Sequence, residues 1–411
     1  MPLIEKYEIV IIGGGQAGLS LSYFLTQAGR EHIILEKSSQ PADAWRNRRW
    51  DSFTLNSPNW AFKLPGGEYS GPEPDNFMPK DEIVRRFEAY TQVFNPNVRY
   101  ASEARQVEAT DDQYRYRTTT DTGTIASQNV VIATGLYHQV IIPPYARQIP
   151  QSILQIASDE YRNPQGLPPG AVLVVGSAQS GCQLAEELNQ AGRKVFLATC
   201  TSGRAPRRYR GLDIFIWFTR IGFLDRTVAN LNSPKERFFA SPHITGAAGG
   251  HDINLHKFSR DGLILLGHTR GFEDGKMIFA PDLQENLTKS DAFYTTVIAQ
   301  IEKYIQANGL VLPPEELAVL DDGYRVPVRQ SLDLAAEGIS TIIWATGYLA
   351  DYSLVQLPIL DEYRYPATDR GVTRYPGLYF IGLNWMNKFS TGFLLGIKES
   401  AQYLAEVITG S

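Results

Sequence analysis

Two glycine-rich turns, each between a β-branched strand and a helix-patterned stretch, and two apolar strands that both stop at Ala-Thr-Gly predict an α/β chain of two Rossmann-like dinucleotide-binding units. The second is expected to sit inside the first, which is then discontinuous: residues 1–163 and 339–411 form the outer unit and 164–338 the inserted one.

Tyr7 to Ile12 is a strand pattern, Gly13 to Gly18 the turn, Leu19 to Ala28 a helix by its apolar spacing and Glu31 to Leu35 the next strand. The same order returns at Val172 to Val175, Gly176 to Gly181, Cys182 to Ala191 and Lys194 to Ala198. The matched Ala-Thr-Gly strands are Val130 to Gly135 and Thr341 to Gly347. Pro-rich stretches at Ile142 to Pro150 and Pro164 to Gly170 read as linkers out of the first unit and into the second, and the chain should return to the first after Gly347. Asp282 to Asn308 is helix-patterned and residues 201–260 read as a loop-rich insertion. Leu378 to Ile381 and Phe393 to Ile408 read as a closing strand and an amphipathic helix.

In Gly13-Gly14-Gly15-Gln16-Ala17-Gly18 the glycine at 13 allows the tight turn out of the strand, Gly15 lets a pyrophosphate approach the backbone, and Gly18 lets the helix pack against the sheet. The phosphates then meet an amide-rich helix N-terminus. Glu36, ending the next strand, can accept from both ribose hydroxyls. Together these residues read as the site for the adenosine half of FAD; the bland alternative is a glycine-rich turn beside an exposed Glu36.

Gly176-Ser177-Ala178-Gln179-Ser180-Gly181 has alanine where the backbone should approach phosphate. From Thr199 to Arg210 there is no acid, while Arg204, Arg207, Arg208 and Arg210 cluster there. An arginine in that place accommodates a 2′-phosphate, so NADPH is expected over NADH. A βαβ unit that binds nothing and a solvated basic loop are the alternatives.

With 411 residues there is room for two or three domains and a large core. The formal charge of -5, from 39 basic and 44 acidic side chains, argues against a nucleic-acid binder and for a small-molecule partner. No apolar run is long enough to span a bilayer and no leader pattern precedes the first strand, so a cytoplasmic protein without membrane association is expected; a homodimer is left open.

With two such units, the Ala-Thr-Gly pair and Ala44-Trp45-Arg46 after Glu36, the chain resembles the flavin-containing monooxygenase superfamily, the class B flavoprotein monooxygenases, over nearly its whole length. It is most similar to shorter bacterial members, through Ser52 to Pro58, Leu378 to Gly382 and Ser390 to Gly396. The resemblance implies an FAD domain interrupted by an NADPH domain. FAD would touch Gly13, Gly15, Gln16, Ala17, Gly18, Glu36, Lys37, Trp45, Arg46, Val107, Thr134, Gly135, Gly382, Thr391, Gly392 and Phe393. NADPH would touch Gly176, Ser177, Ala178, Gln179, Ser180, Gly181, Arg204, Arg207 and Arg208. Reduced flavin would react with O2 to a C4a-hydroperoxide, from which a small nitrogen, sulfur or ketone substrate takes one oxygen. Asn56 would be the catalytic side chain facing the flavin; it reads equally as a cap on the turn before Pro58. Thr391 to Phe393 would bring a helix N-terminus to the flavin's pyrimidine side.

The chain departs from the superfamily ahead of the inserted unit. Where the family has an aromatic, a glycine and a histidine it carries Gln151, Ile153 and Ala157, keeping only Ser158 and Tyr161. Cys182 and Cys200 are too far apart for a Cys-x-x-Cys pair, which removes the flavin-disulfide reductases and leaves two expected core residues. His251 and His256 match no metal spacing and are expected in a polar loop. Trp217, Phe218, Phe223, Phe238 and Phe239 are expected in the core rather than around a substrate. Three functions remain: an NADPH-dependent monooxygenase, an FAD-dependent oxidase or dehydrogenase of an amine-like substrate that uses no NADPH, and a non-catalytic flavin-binding electron-transfer subunit.

Overall fold

The computed structural model describes residues 4–410; positions 1–3 and 411 of the expected ranges, and with them the leader-free start, lie outside it. The chain opens with β1 (Glu5–Ile12), α1 (Gln16–Gln27) and β2 (His32–Leu35). Ile9 and Ile11 enter one buried cluster and Val10 and Ile12 another, so β1 is covered on both faces, as its unbroken apolar run requires. Leu19, Leu21 and Leu25 of α1 close the first of these faces.

Two helices, α2 (Asp43–Asn47) and α3 (Lys80–Phe94), precede β3 (Val98–Arg99), and a hairpin of β4 (Ala104–Ala109) and β5 (Tyr116–Thr120) leads into β6 (Thr124–Ile132). The first sheet has nine strands in the order Thr368–Asp369, Val372–Thr373, Leu378–Phe380, β6, β1, β2, β3, with the hairpin antiparallel to β6. The second has five parallel strands. They are β7 (Leu154–Ala157), β8 (Ala171–Val175), β9 (Val195–Ala198), β10 (Ile264–Leu266) and β11 (Ile339–Trp344), ordered β10-β9-β8-β11-β7, with α4 (Gln179–Gln190) between β8 and β9. The architecture is thus two Rossmann-like units, one inserted in the other.

The expected bounds at 163/164 and 338/339 cut through the second sheet, because β7 and β11 both belong to it. The crossings fall between β6 and β7 and again after β11. The reason is local: β7 is four residues, mostly half-buried, between two proline-rich stretches, and carries no alternation by which to recognise it. Val172 and Val174 of β8 share one buried cluster with Ile9 and Ile11 of β1, so the hydrophobic core runs unbroken from unit to unit.

Residues 201–260 hold only short elements, α5 (Ile214–Arg220) and α6 (Leu255–Arg260) among them, before the long α7 (Leu283–Ala307). The chain ends in α8 (Ile397–Thr409), packed on α1. No helix among the described residues is long and apolar enough to cross a membrane.

Candidate dinucleotide sites and their seam

Both glycine turns leave the carboxyl end of a central strand, where neighbouring strands diverge and ligands of such sheets lie. Gly13 turns at φ +113 and donates to Leu35 O at 2.9 Å. A Cβ on Gly13 would stand 2.5 Å from Ala133 O, and one on Gly18 2.0 Å from Gly13 O, so neither position admits a side chain. Gly15 is different. Its backbone, φ -77 and ψ -171, suits any residue, and a Cβ there would meet nothing within 4 Å. What glycine supplies at 15 is open surface above the unbonded N–H groups of α1, a helix with no side-chain cap and no acid in its first turn.

Around this turn the remaining groups converge. Glu36 accepts from the N–H of Gly14 (2.7 Å) and of Ser38 (2.8 Å), which leaves lone pairs for ribose hydroxyls. Thr134 Oγ1 is buried without a hydrogen-bond partner among the described residues. Gln16 Nε2 donates to Gly392 O (2.7 Å), and a Cβ on Gly382 would lie 2.5 Å from that of Ala17, so the C-terminal segment is drawn onto the turn. These residues fit a dinucleotide: orphaned helix amides, an open backbone, an acid at the next strand end and an unpartnered hydroxyl. Gly135, at φ +79, accepts from Tyr352 Oη (2.8 Å), and Lys37 is exposed. Trp45 packs on Phe53 at 5.9 Å, and Arg46 joins α2 to α3 through Glu88 (2.6 Å).

Two expectations for this site are corrected. Val107 has no free group to offer: its N–H donates to Leu354 O (2.7 Å), its C=O accepts from Gln356 (2.9 Å), and its side chain is fully buried. That pairing spans almost 250 positions of sequence, beyond the reach of any local pattern. Nor do Thr391 to Phe393 open the last helix. Phe389–Gly392 is a separate 3-10 turn, held by the Lys388 N–H donating to Thr391 Oγ1 (2.9 Å), and α8 starts only at Ile397.

The second turn repeats the first. Gly176 turns at φ +103, Gly181 would place a Cβ 1.8 Å from Gly176 O, and Ala345 stands against Gly176 as Ala133 stands against Gly13. Ala178, at φ -72 and ψ -172, has the backbone of Gly15 but carries a methyl over the same surface. Ser177 is fully buried and its Oγ accepts from Cys200 N–H (2.9 Å), a bond equivalent to none that Glu36 makes. Ser180 is half-buried. Gln179 holds Ile244 through both its carboxamide atoms, and His243 Nε2 donates to Ser177 O (2.6 Å). A strap at 243–252 therefore lies across this turn.

Burial pushes the His243 pKa down, from 6.5 to about 4, with the nearby Arg204 charge adding to it. A histidine depressed in the folded state contributes stability that is complete above its ordinary pKa and lost as the pH falls towards the folded value. His251, hydrogen-bonded to Glu186 (2.9 Å), is shifted upward and has the opposite sign, its contribution present at low pH and lost as pH rises. The melting temperature is expected to fall between pH 6.5 and about 4, and His243→Gln is expected to flatten that fall. An unchanged acid slope in the variant would count against the assignment to His243.

The arginine cluster is not the 2′-phosphate clamp expected of it. Arg207 is buried and paired bidentately with Asp213 (2.6 and 2.9 Å), and also donates to Asn56 O (2.7 Å). Arg204 is bound to Asp291 (2.8 Å) and lies 3.8 Å over Tyr294. Arg208 alone of the three is exposed, its guanidinium on the carbonyls of Gly249 and Gly250. The acids that claim the first two, Asp213 and Asp291, lie outside residues 199–210, where the local sequence shows none. Asn56 stands at the seam between units: its Oδ1 accepts from Gln183 (3.0 Å), which also donates to Thr245 (2.9 Å). Gln183 was missed, though it lies one helical turn beyond Gln179 on the same face of α4.

Other expectations divide. Trp217, Phe218 and Phe223 are buried, but Phe238, ending the 3-10 turn Pro234–Phe238, and Phe239 just after it are 53% and 70% exposed. Cys182 is buried and Cys200 only half-buried; both are free and beside Ser177. His256 is not in a loop: it is buried on α6, with Gly323 N–H donating to its Nδ1 and its Nε2 donating to Asp291. Ala157, in the place of the family's histidine, is buried at the end of β7.

A family model described as pyridine nucleotide-disulphide oxidoreductase matches residues 10–211. The chain is 29% identical over 399 residues to a CzcO-like oxidoreductase of Geobacillus kaustophilus (strain HTA426), covering 97% of each. A flavin-containing monooxygenase from Stenotrophomonas maltophilia superposes with a TM-score of 0.67 at 18% identity over 99% of both chains. An oxidized steroid monooxygenase bound to NADP gives 0.58 at 15%, over 98% of this chain and 85% of its own.

Proposed function

We propose that this chain is a flavin-dependent oxidoreductase of the flavin monooxygenase-like kind, similar to the proteins above, that it holds FAD at Gly13 to Glu36 and NADPH at Gly176 to Gly181, and that it adds one atom of O2 to a small nitrogen, sulfur or ketone nucleophile. The observation that carries this reading is the repeated geometry of the two turns, facing a seam on which Asn56 is fixed. FAD, reduced by NADPH, supplies the oxygen chemistry; the protein supplies position and exclusion of water. The N–H groups at the start of α1 receive the diphosphate and Glu36 the ribose. Asn56, its Oδ1 held by Gln183, keeps its Nδ2 hydrogens for a group in the seam.

The test is to mix the yellow protein with NADPH without air and then admit 18O2 with a thioether or amine. Reduction followed by labelled product, one per NADPH consumed, is the expected result; no reduction sinks the reading. A second reading, an FAD-dependent oxidase that uses no NADPH, draws on the methyl of Ala178 and the Gln179–Ile244 pairing, which together narrow the second turn. It predicts reduction by an amine alone.

Among the three arginines Arg208 is the exposed one and holds only the backbone carbonyls of Gly249 and Gly250, which a 2′-phosphate would replace. Arg208→Ala is expected to raise the KM for NADPH roughly tenfold, the worth of one charge-assisted bond, and to leave that for NADH unchanged. Steady-state kinetics with both coenzymes decide it.

A further inference from the structure

Asn56 stands in the outer unit, but the groups that orient it belong to the inserted one. Its main chain is fixed by Arg207, whose Nη1 donates to Asn56 O (2.7 Å). The carboxamide turns about a soft, two-fold torsion, so an unheld asparagine presents its oxygen and its NH2 to a neighbour almost equally. Here it is held. Gln183 Nε2 donates one hydrogen to Asn56 Oδ1 (3.0 Å) and the other to Thr245 Oγ1 (2.9 Å). Asn56 Nδ2 has no hydrogen-bond partner among the described residues and keeps some access to solvent.

Gln183 is itself clamped. It is 7% exposed, so a hydrogen of its amide left without an acceptor would be costly, and that cost keeps Asn56 Oδ1 turned towards it. Two glutamines one turn apart on α4 grip the strap in succession: Gln179 holds Ile244 through both carboxamide atoms, and Gln183 holds Thr245. Thr245 is fully buried, its Oγ1 also accepts from Ala247 N–H (3.0 Å), and its carbonyl accepts from Arg207 Nη1 (3.4 Å). The next residue presses on the outer unit beside Asn56, since a Cβ on Gly246 would stand 2.0 Å from Leu55 O. Strap, α4 and the Leu55–Asn56 segment are therefore one locked junction, with the second glycine turn at the head of α4.

We propose that Gln183 and Thr245 are positioning residues: together they turn Asn56 so that the seam meets its N–H donors and not its oxygen, and this governs whether oxygen reaches the substrate or leaves as hydrogen peroxide. The last clause rests on the monooxygenase reading; the orientation of Asn56 does not. A donor held towards the seam stabilises negative charge that develops there, and an oxygen in its place repels it. With that charge held, NADPH, a proton, O2 and substrate give NADP+, water and the oxygenated product. Without it, NADPH, a proton and O2 give NADP+ and hydrogen peroxide.

The test uses the flavin-containing full chain carrying Gln183→Met, Thr245→Val, Thr245→Ser or Asn56→Ala, and Gln183→Met combined with Asn56→Ala. With NADPH, air and a thioether, Gln183→Met is expected to raise the ratio of hydrogen peroxide to sulfoxide roughly tenfold, the worth of one hydrogen bond, without slowing reduction of the flavin. Thr245→Val is expected to follow it, and Thr245→Ser, which keeps the hydroxyl, to hold the wild-type ratio. Added to Asn56→Ala, Gln183→Met is expected to change nothing further. A ratio unmoved by Gln183→Met, or moved equally with and without Asn56, would overturn the proposal. Where NADPH fails to reduce the flavin, the monooxygenase reading falls and the midpoint potential of the bound flavin, which needs neither NADPH nor O2, decides the orientation instead. Measured by photoreduction against a reference dye, it is expected to fall in Gln183→Met and to fall no further when that change is added to Asn56→Ala. No shift, or the same shift in both backgrounds, would overturn the positioning role.

Discussion

Gly18→Ala is expected to give no folded protein, whereas Gly15→Ala is expected to fold and lose its flavin. The two substitutions add the same methyl within one turn. At 18 the new Cβ falls 2.0 Å from a backbone oxygen, that of Gly13, which is itself locked at φ +113 against Ala133. No side-chain rotation relieves such a contact, so α1 must back away from β1, opening the buried cluster that Ile9, Ile11 and Leu19 share. A loss above about 4 kcal/mol is the scale for forced core rearrangement. At 15 the methyl meets no protein atom within 4 Å, and the backbone already suits alanine. Its whole effect should fall on whatever approaches that surface. Thermal melting of each purified variant, beside flavin absorbance per chain, separates the outcomes. A Gly18→Ala protein melting like wild type, or Gly15→Ala with full flavin, would contradict this account.

Arg207→Ala is expected to cost about 3–5 kcal/mol, because it leaves the buried carboxylate of Asp213 without its cation. The same change removes donors to Asn56 O and a cation stacked 4.5 Å over Phe77, so the loss should be felt where the units meet. Replacing both partners, as Arg207→Met with Asp213→Leu, should recover much of the loss, since a well-packed apolar pair of similar volume avoids the desolvation of two charges. Asp213 also caps α5 by accepting from Phe215 N–H (2.9 Å), so recovery will fall short of wild type by about 1 kcal/mol. Urea denaturation of the three proteins is the measurement. Were Arg207 a ligand for the 2′-phosphate, Arg207→Ala would instead raise the KM for NADPH and leave stability alone.

Both glycine turns, their flanking strands and helices, and the paired Ala-Thr-Gly ends could be read from the sequence because each is a local pattern: period two in β1, helical spacing in α1, glycine where backbone meets backbone. The long α7 was legible for the same reason. What was not legible depends on partners far along the chain. The backbone of Val107 is taken by residues 354 and 356, the charge of Arg207 by Asp213, past the end of the arginine cluster, and β7 is recognisable only by its neighbour β11. Asn56 was found as a residue, but the group that orients it, Gln183, lies on another unit.

The placement of Leu378–Phe380 beside β6, with α8 against α1, bears on biosynthesis. The inserted unit uses one continuous run, from β7 to β11, and every strand of its sheet has been made once residue 344 is out. The outer unit begins first and is completed after it: three strands of its sheet, Thr368–Asp369, Val372–Thr373 and Leu378–Phe380, and the helix packed on α1 follow residue 344. During translation, then, the usual N-terminal-first order is inverted. The early β1–β2 segment, paired with β6 and β3 and covered on one face by α1, acquires the Leu378–Phe380 strand and α8 only after the inserted unit has been made.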